Sequence, residues 1–397
     1  MLVFACGGVF VDFSTILSDV YSRNILILTG VYMLAAIFLV PAYFVSLRPV
    51  RGTTEWMTRI DQPEFEPLSL NKFRWSDLPF ALLSGVCAAL LRMASFLCIY
   101  LHHGILPSLE RVLPHLITSY LLPCAVLGIA VYLLLHSMFD STLPAICVAI
   151  LSGLMQIGNA WAAAFTMLSL LFLWLWTALD ADSGLLVRAL TLLAALVCYG
   201  LALLRYWALL WLLPLFLAAY IYAQIYRWRK TSKKGRGMRL GLSLLFLFFT
   251  FFAAFVAAWA YYCCHKMHDP ALMLDIRLSL QVVFEELFSR LSHIRFVTDP
   301  LAGVLVRDAI FFLLGAVSLI PVVHGIIRWR DSQCIMLLSL IPCFVGIWLL
   351  GGMYLLVPML ALLLGWVLSV FAKRENSWLV IVFTVIPAIT FLAEHFI

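Results

Sequence analysis

Apolar runs of about 20 residues, each long enough for a helix to cross a hydrocarbon core, recur along nearly the whole chain, separated by short polar punctuation. They predict helical spans at 1–17, 24–47, 78–101, 116–136, 143–157, 160–179, 186–203, 206–226, 240–262, 303–327, 334–350 and 353–371, and a run at 377–396 predicts a thirteenth. The stretch 143–179 is ambiguous, because Gln156 to Asn159 reads as a turn between two short spans or as a break in one helix. Leu186 to Tyr226 would be about 60 Å long as one helix, twice the roughly 30 Å of a bilayer core. It must cross twice, and Arg205-Tyr206 is the natural turn.

Composition agrees with this pattern. Hydrophobic residues make up 64% of the chain and charged residues 12%, against roughly half and a quarter in an ordinary soluble domain. The expected class is an all-α, polytopic integral membrane protein with about 12–13 transmembrane helices. The recurring long runs favour helices over a barrel of short alternating strands. The ten cysteines form no CxxC pair, and several stand inside apolar runs as small core residues. The N-terminal "MLVFACGGVFVDFSTIL" lacks the basic start and small-residue cleavage site of a signal peptide, so it reads as a short first span.

Net charge is +6, and the basic residues are clustered. Arg48 to Arg74, Arg227 to Arg239, Arg328 to Arg330 and Lys373-Arg374 all stand between apolar runs. That setting argues for positive-inside loops rather than nucleic-acid binding. Alternate crossings satisfy all four if 143–157 and 160–179 are separate spans. The outer side then carries 18–23, 102–115, the Asn159 turn, the Arg205 turn and the long segment 263–302. Within that segment Leu274, Leu278, Leu280, Val283, Leu287 and Leu291 recur against Asp275, Arg277, Glu285, Glu286 and Arg290, which predicts an amphipathic helix lying in the outer interface at 272–291. The chain divides into an N-terminal helix pair at 1–47, a mixed-charge cytoplasmic linker at 48–77, and a transmembrane domain at 78–397.

No P-loop, HExxH or GxSxG signature is present, which argues against a cytoplasmic ATPase or a zincin. Candidate chemistry gathers on the outer side. Arg92 stands well inside an apolar run, and an ionisable residue there is a candidate for function because its burial is costly. Glu110 is the sole carboxylate of the first outer loop and is eligible as a general base. His102, His103, Arg111 and His115 flank it. Asn159, His265, Lys266, His268 and Asp269 complete the outer polar set. "HKMHD" has metal-like composition but uninformative spacing, so no metal or other cofactor is predicted. Arg205 reads either as an interfacial arginine snorkelling to headgroups or as a guanidinium for a lipid-linked phosphate.

The order of segments resembles the GT-C membrane glycosyltransferases, the polyprenyl-phosphate-sugar-dependent class that includes the protein-mannosyltransferase-like family. "LPFALLSGVCAALLRMASF" resembles its first span, with Leu91-Arg92-Met93 as the Leu-Arg-apolar ending. "YLLLHSMFDSTLPAICVAILSGLMQIGNAWAAAFTMLSLLFLWLWTALDA" resembles its second to fourth helices, and "LTLLAALVCYGLALLRYWALLWLLPLFL" its paired helices. "GGMYLLVPMLALLLGWVLS" is similar to its closing core helix. The likeness covers about Leu78 to Phe371. It departs from the family in the first outer loop, which is short and holds one acid instead of an acidic motif, and in the N-terminal pair.

The resemblance implies a multi-pass enzyme, expected in the plasma membrane, that moves a sugar from a polyprenyl-phosphate donor to an outer acceptor. Glu110 would be the base, with Arg92, Arg205 and Lys266 holding the phosphate as its charge develops. Its partners would be membrane lipid and the lipid-linked donor, with no nucleic acid. Two other readings stay open: a transporter or flippase of a lipid-linked substrate, and a non-catalytic GT-C-like subunit.

Overall fold

A computed structural model of the chain describes residues 20–47, 75–102, 109–154, 160–179, 185–205, 309–329, 357–374 and 376–394, with isolated positions between 209 and 343. All secondary structure among the described residues is helical. The helices are α1 (Val20–Ser46), α2 (Leu78–His102), α3 (Leu109–Leu116), α4 (Leu122–Phe139), α5 (Thr142–Leu154), α6 (Ala160–Ala178), α7 (Leu185–Arg205), α8 (Ala309–Val317), α9 (Leu319–Trp329), α10 (Val357–Lys373) and α11 (Ser377–Glu394). A 3-10 turn at Trp75–Asp77 leads into α2, and a π turn at Ile117–Leu121 joins α3 to α4.

Among the described residues, four helical stretches are long and apolar enough to cross a membrane: Leu78–Leu97, Leu113–Phe139, Ala160–Thr177 and Leu186–Arg205. Thr142–Leu154, Met359–Lys373 and Ser377–Ile389 are apolar but shorter. At 1.5 Å per residue, α5 spans only about 20 Å. The 143–179 ambiguity thus falls out as two helices, with α5 the shorter.

Small residues set the centre of the bundle. On α2, Ser84, Gly85 and Ala88 face α4 and α5. A Cβ at Gly128 of α4 would lie 3.0 Å from the Ala88 side chain and 3.2 Å from the Ser84 carbonyl oxygen, and a Cβ at Gly153 of α5 would collide with the Ala88 backbone. Close backbone approach at such residues lets dispersion hold apolar helices together where water supplies no driving force. Around this seam, α6 packs on α4 and pairs extensively with α7. On the other side α10 packs on α4 and α5, and α1, α8 and α11 pack around it.

Contacts between helix ends fix their sense. His136, in the last turn of α4, meets Asp77 at the start of α2. Ser169 at mid-α6 donates to the carbonyl of Ala195 at mid-α7, 2.8 Å away. Trp161 at the start of α6 donates to the Thr118 carbonyl just before α4, so α4 and α6 run the same way, with α5 returning between them. Tyr199 donates its hydroxyl to the Leu209 carbonyl at 3.0 Å. Ten residues of continuous helix would separate these by about 15 Å, so the chain doubles back just beyond Arg205, where the sequence predicts a turn.

The structure adds to the sequence expectation in three places. The expected outer loop 102–115 is largely helical in its second half, because Leu109, Val112, Leu113 and Leu116 recur at helical spacing and carry α3 into α4. The expected span 303–327 is described from Ala309 onward, and helical bonding carries α8 into α9 through Ser318, whose N–H bonds to the Leu314 carbonyl at 3.0 Å and whose carbonyl accepts from the Val322 N–H at 3.2 Å. The N-terminal helix is woven into the bundle: Tyr43 of α1 contacts the His324 Nδ1 at 3.2 Å and packs its ring 6.1 Å from Trp366. The predicted interfacial helix at 272–291 lies outside the described residues.

Large apolar side chains point outward along several helices. Leu82, Val86 and Leu90 of α2 and Leu186, Leu190, Leu193 and Val197 of α7 are each half or nearly half exposed or more. Contiguous faces of this kind are rare on soluble monomers.

Candidate functional site

Arg92 lies about 21 Å along α2 from Leu78 and is only 8% exposed. Its guanidinium sits over the ring of Phe96, one turn on, 4.9 Å from the centroid. A desolvated cation over an aromatic face is an attractive contact of about 2 kcal/mol. Buried Ser95 and the Cys124 thiol of α4 lie in the same neighbourhood, the latter within electrostatic reach of the guanidinium. From Phe96 the aromatic contacts continue outward. Tyr120 meets Phe96 edge to face at 5.4 Å, and His115 meets Tyr120 edge to face at 6.4 Å. His115 is exposed and its Nδ1 is 3.3 Å from the Ser119 hydroxyl.

The π turn carrying Tyr120 has a readable cause. The Leu122 N–H bonds back to the Ile117 carbonyl, five residues earlier. Pro123 has no N–H to offer the Thr118 carbonyl. That carbonyl would be left without a backbone partner, and Trp161 of α6 supplies one through its indole N–H at 3.0 Å. Trp161 is stacked in turn on Phe165, 5.4 Å away. Such single π turns inside helices are frequent at functional positions.

Among the other residues picked out by the sequence, Arg205 ends α7, exposed. The Ser169–Ala195 bond sets α6 and α7 in register so that Arg205 comes level with Trp161, at the same end of the bundle as Arg92. Arg92 and Arg205 are not neighbours in the bundle order: α2 packs on α4 and α5, whereas α7 packs on α6. Glu110 falls in the first turn of α3, at this same end, and His102 is the last residue of α2; their side chains are outside the described set. His103, Asn159, His265, Lys266 and Asp269 also lie outside the described residues. Among the described residues no three His, Cys, Asp or Glu side chains gather as a metal site.

Sequence reasoning missed two things. The first is the aromatic string of Phe96 and Tyr120, neither of which the sequence reading singles out. Their signal was the i, i+4 spacing of Arg92 and Phe96. The second is a polar cluster at the opposite end. His136 Nε2 is 3.6 Å from the Asp77 carboxylate, and the His136 ring stacks on Tyr132 at 5.6 Å, nearly parallel. The Tyr132 hydroxyl and His136 Nδ1 are buried and make no hydrogen bond. Arg374, just beyond α10, is half-buried, and burial pulls its guanidinium below the usual arginine range, opposed by Tyr43. An apolar cavity of about 30 Å³ lies toward this second end, lined by Leu134, Met138, Trp174 and Leu362 among others. It has room for about one water and is remote from Arg92.

The described residues therefore form a bundle of apolar helices, four of them long enough to cross a bilayer, with a buried arginine toward one end and a His–Asp pair at the other. Comparison with protein-family models, curated proteins and solved structures finds no match to it.

Proposed function

We propose that this chain is a multi-pass membrane protein and a glycosyltransferase of the GT-C type, which takes a sugar from a polyprenyl-phosphate carrier at the membrane surface nearest Arg92. The observation that carries the reading is the Arg92 guanidinium, held 8% exposed in an apolar helix. An ionisable side chain inside an apolar helix is a candidate for function, and a guanidinium can hold two oxygens of a lipid phosphate at once. Outward apolar faces on α2 and α7 support the membrane setting.

In this reading Arg92 holds the donor phosphate and stabilises the charge that develops on it as the sugar leaves. Glu110 accepts the proton of the acceptor hydroxyl. Arg205 and Lys266 contribute positive potential at the same surface. The site is proposed for the outer face of the plasma membrane.

The test is turnover of a polyprenyl-phosphate hexose by the purified full chain in nanodiscs. Glu110→Gln is expected to abolish transfer while donor binding persists. Arg205→Lys is expected to weaken donor use, since an ammonium cannot hold two phosphate oxygens as a guanidinium does. Full transfer by Glu110→Gln would remove the proposed base, and equal donor use by Arg205→Lys would remove the phosphate role of Arg205. A second reading, a carrier of lipid-linked substrate between leaflets, draws on the partly buried Asp77–His136 pair at the opposite end of α2 and α4. It predicts movement of a fluorescent polyprenyl phosphate across proteoliposomes with no sugar transferred.

A further inference from the structure

Arg92, Phe96, Tyr120 and His115 form a continuous run from a buried cation to an exposed imidazole, each in contact with the next. The run crosses from α2 to the α3–α4 segment, and the geometry of the π turn makes it possible. Residues five apart on an α-helix point about 140° away from each other. The wider turn at Ile117–Leu121 reduces that angle, so the Tyr120 and His115 rings meet at 6.4 Å. Trp161, by taking the Thr118 carbonyl, holds the turn open.

We propose that this run is a two-part binding track, Arg92 for a lipid phosphate and the Tyr120–His115 pair for the sugar ring that the phosphate carries. The inference rests on the reading above and adds what that reading lacks, a feature that separates a glycosylated donor from its bare carrier. The order fits the ligand. The phosphate is the charged group and belongs at the buried cation. The ring is bulky, with an apolar face and a polar edge, and it belongs against half-buried Tyr120 and exposed His115, which offer an aromatic face and a ring nitrogen.

The π turn is then a specificity device. The wider turn brings two rings five residues apart in the chain onto one face, and either ring can be removed without touching α4 or its seam on α2.

The experiment measures binding of two probes, a polyprenyl monophosphate and the same lipid carrying one hexose, to the full chain in nanodiscs. Wild type is expected to prefer the glycosylated lipid. Tyr120→Leu is expected to weaken the glycosylated lipid about tenfold, the upper range of an aromatic contact, and to leave the bare phosphate unchanged. His115→Ala is expected to do the same, with melting behaviour reporting that the bundle remains folded in both variants. Arg92→Gln is expected to weaken both probes. Equal losses on both probes in Tyr120→Leu, or no loss on either, would overturn the track while leaving the phosphate site standing. Failure of wild type to bind either probe would overturn the function itself.

Discussion

Replacing Gly153 by alanine adds one methyl group, and the structure gives it nowhere to go. A Cβ at this position would lie 2.6 Å from the Ala88 Cα and 2.7 Å from its carbonyl carbon, with the carbonyl oxygen closer still. Ordinary carbon contacts are about 3.5–4.0 Å, so α5 would have to retreat from α2 by roughly 1 Å. The obstacle is backbone, so no rotamer change can relieve it. Retreat would also loosen the neighbouring contact of Gly128 with Ala88 and Ser84. Overpacking of this kind costs about 1–3 kcal/mol, or about a 5- to 150-fold loss in the folded-to-unfolded ratio. Gly200 on α7 is the control, because a Cβ there meets nothing within 4 Å. Gly200→Ala gains helix propensity of at most about 1 kcal/mol and is expected to be neutral or mildly stabilising. The assay is thermal unfolding of the purified chain in detergent, followed through exposure of the buried thiols Cys124 and Cys343 to a reactive dye. Gly153→Ala is expected to melt several degrees below wild type and Gly200→Ala at or above it. Equal melting of the two variants would mean that α2 and α5 do not make this close approach.

Four other outcomes follow from the same structure. Tyr132→Phe removes a buried hydroxyl that makes no hydrogen bond, so stability should hold or rise by about 1 kcal/mol; a clear loss in the same melt would mean the hydroxyl has a partner in solution. Asp77→Asn and His136→Gln should show a coupling of about 1 kcal/mol in a double-mutant cycle, and strict additivity would break the 3.6 Å pair. Tyr199→Phe gives up the bond to the Leu209 carbonyl and should cost about 1 kcal/mol, with faster proteolysis near Arg205 as its signature. Cysteines placed at Ser76 and Thr118, both exposed and at opposite ends of the bundle, should label from opposite sides of sealed vesicles; labelling from one side would contradict a membrane setting with α2 and α4 as spans.

Much of the element list was legible because each helix is written locally, as a run of apolar residues bounded by charge or proline. The spans around α2, α4, α6, α7, α10 and α11 and the turn after Arg205 are of this kind. Arg92 was legible for the same reason, as a lone charge in such a run. The helix α3 was written too, in the spacing of Leu109, Val112, Leu113 and Leu116, but His102, His103, Glu110, Arg111 and His115 made the stretch read as an outer loop. What the sequence could not express is which side of each helix faces inward. α4 is apolar all round, so no periodic stripe distinguishes the face that meets α2 from the face that meets α6. Only the tertiary structure decided that Gly128 and Gly153 both approach Ala88, that His136 finds Asp77 across the bundle, and that Phe96 and Tyr120 carry contact outward from Arg92. The π turn belongs to the same group. Pro123 removes one donor locally, but the turn is completed by the Trp161 N–H, which is 43 residues away in the chain and one hydrogen bond away in space.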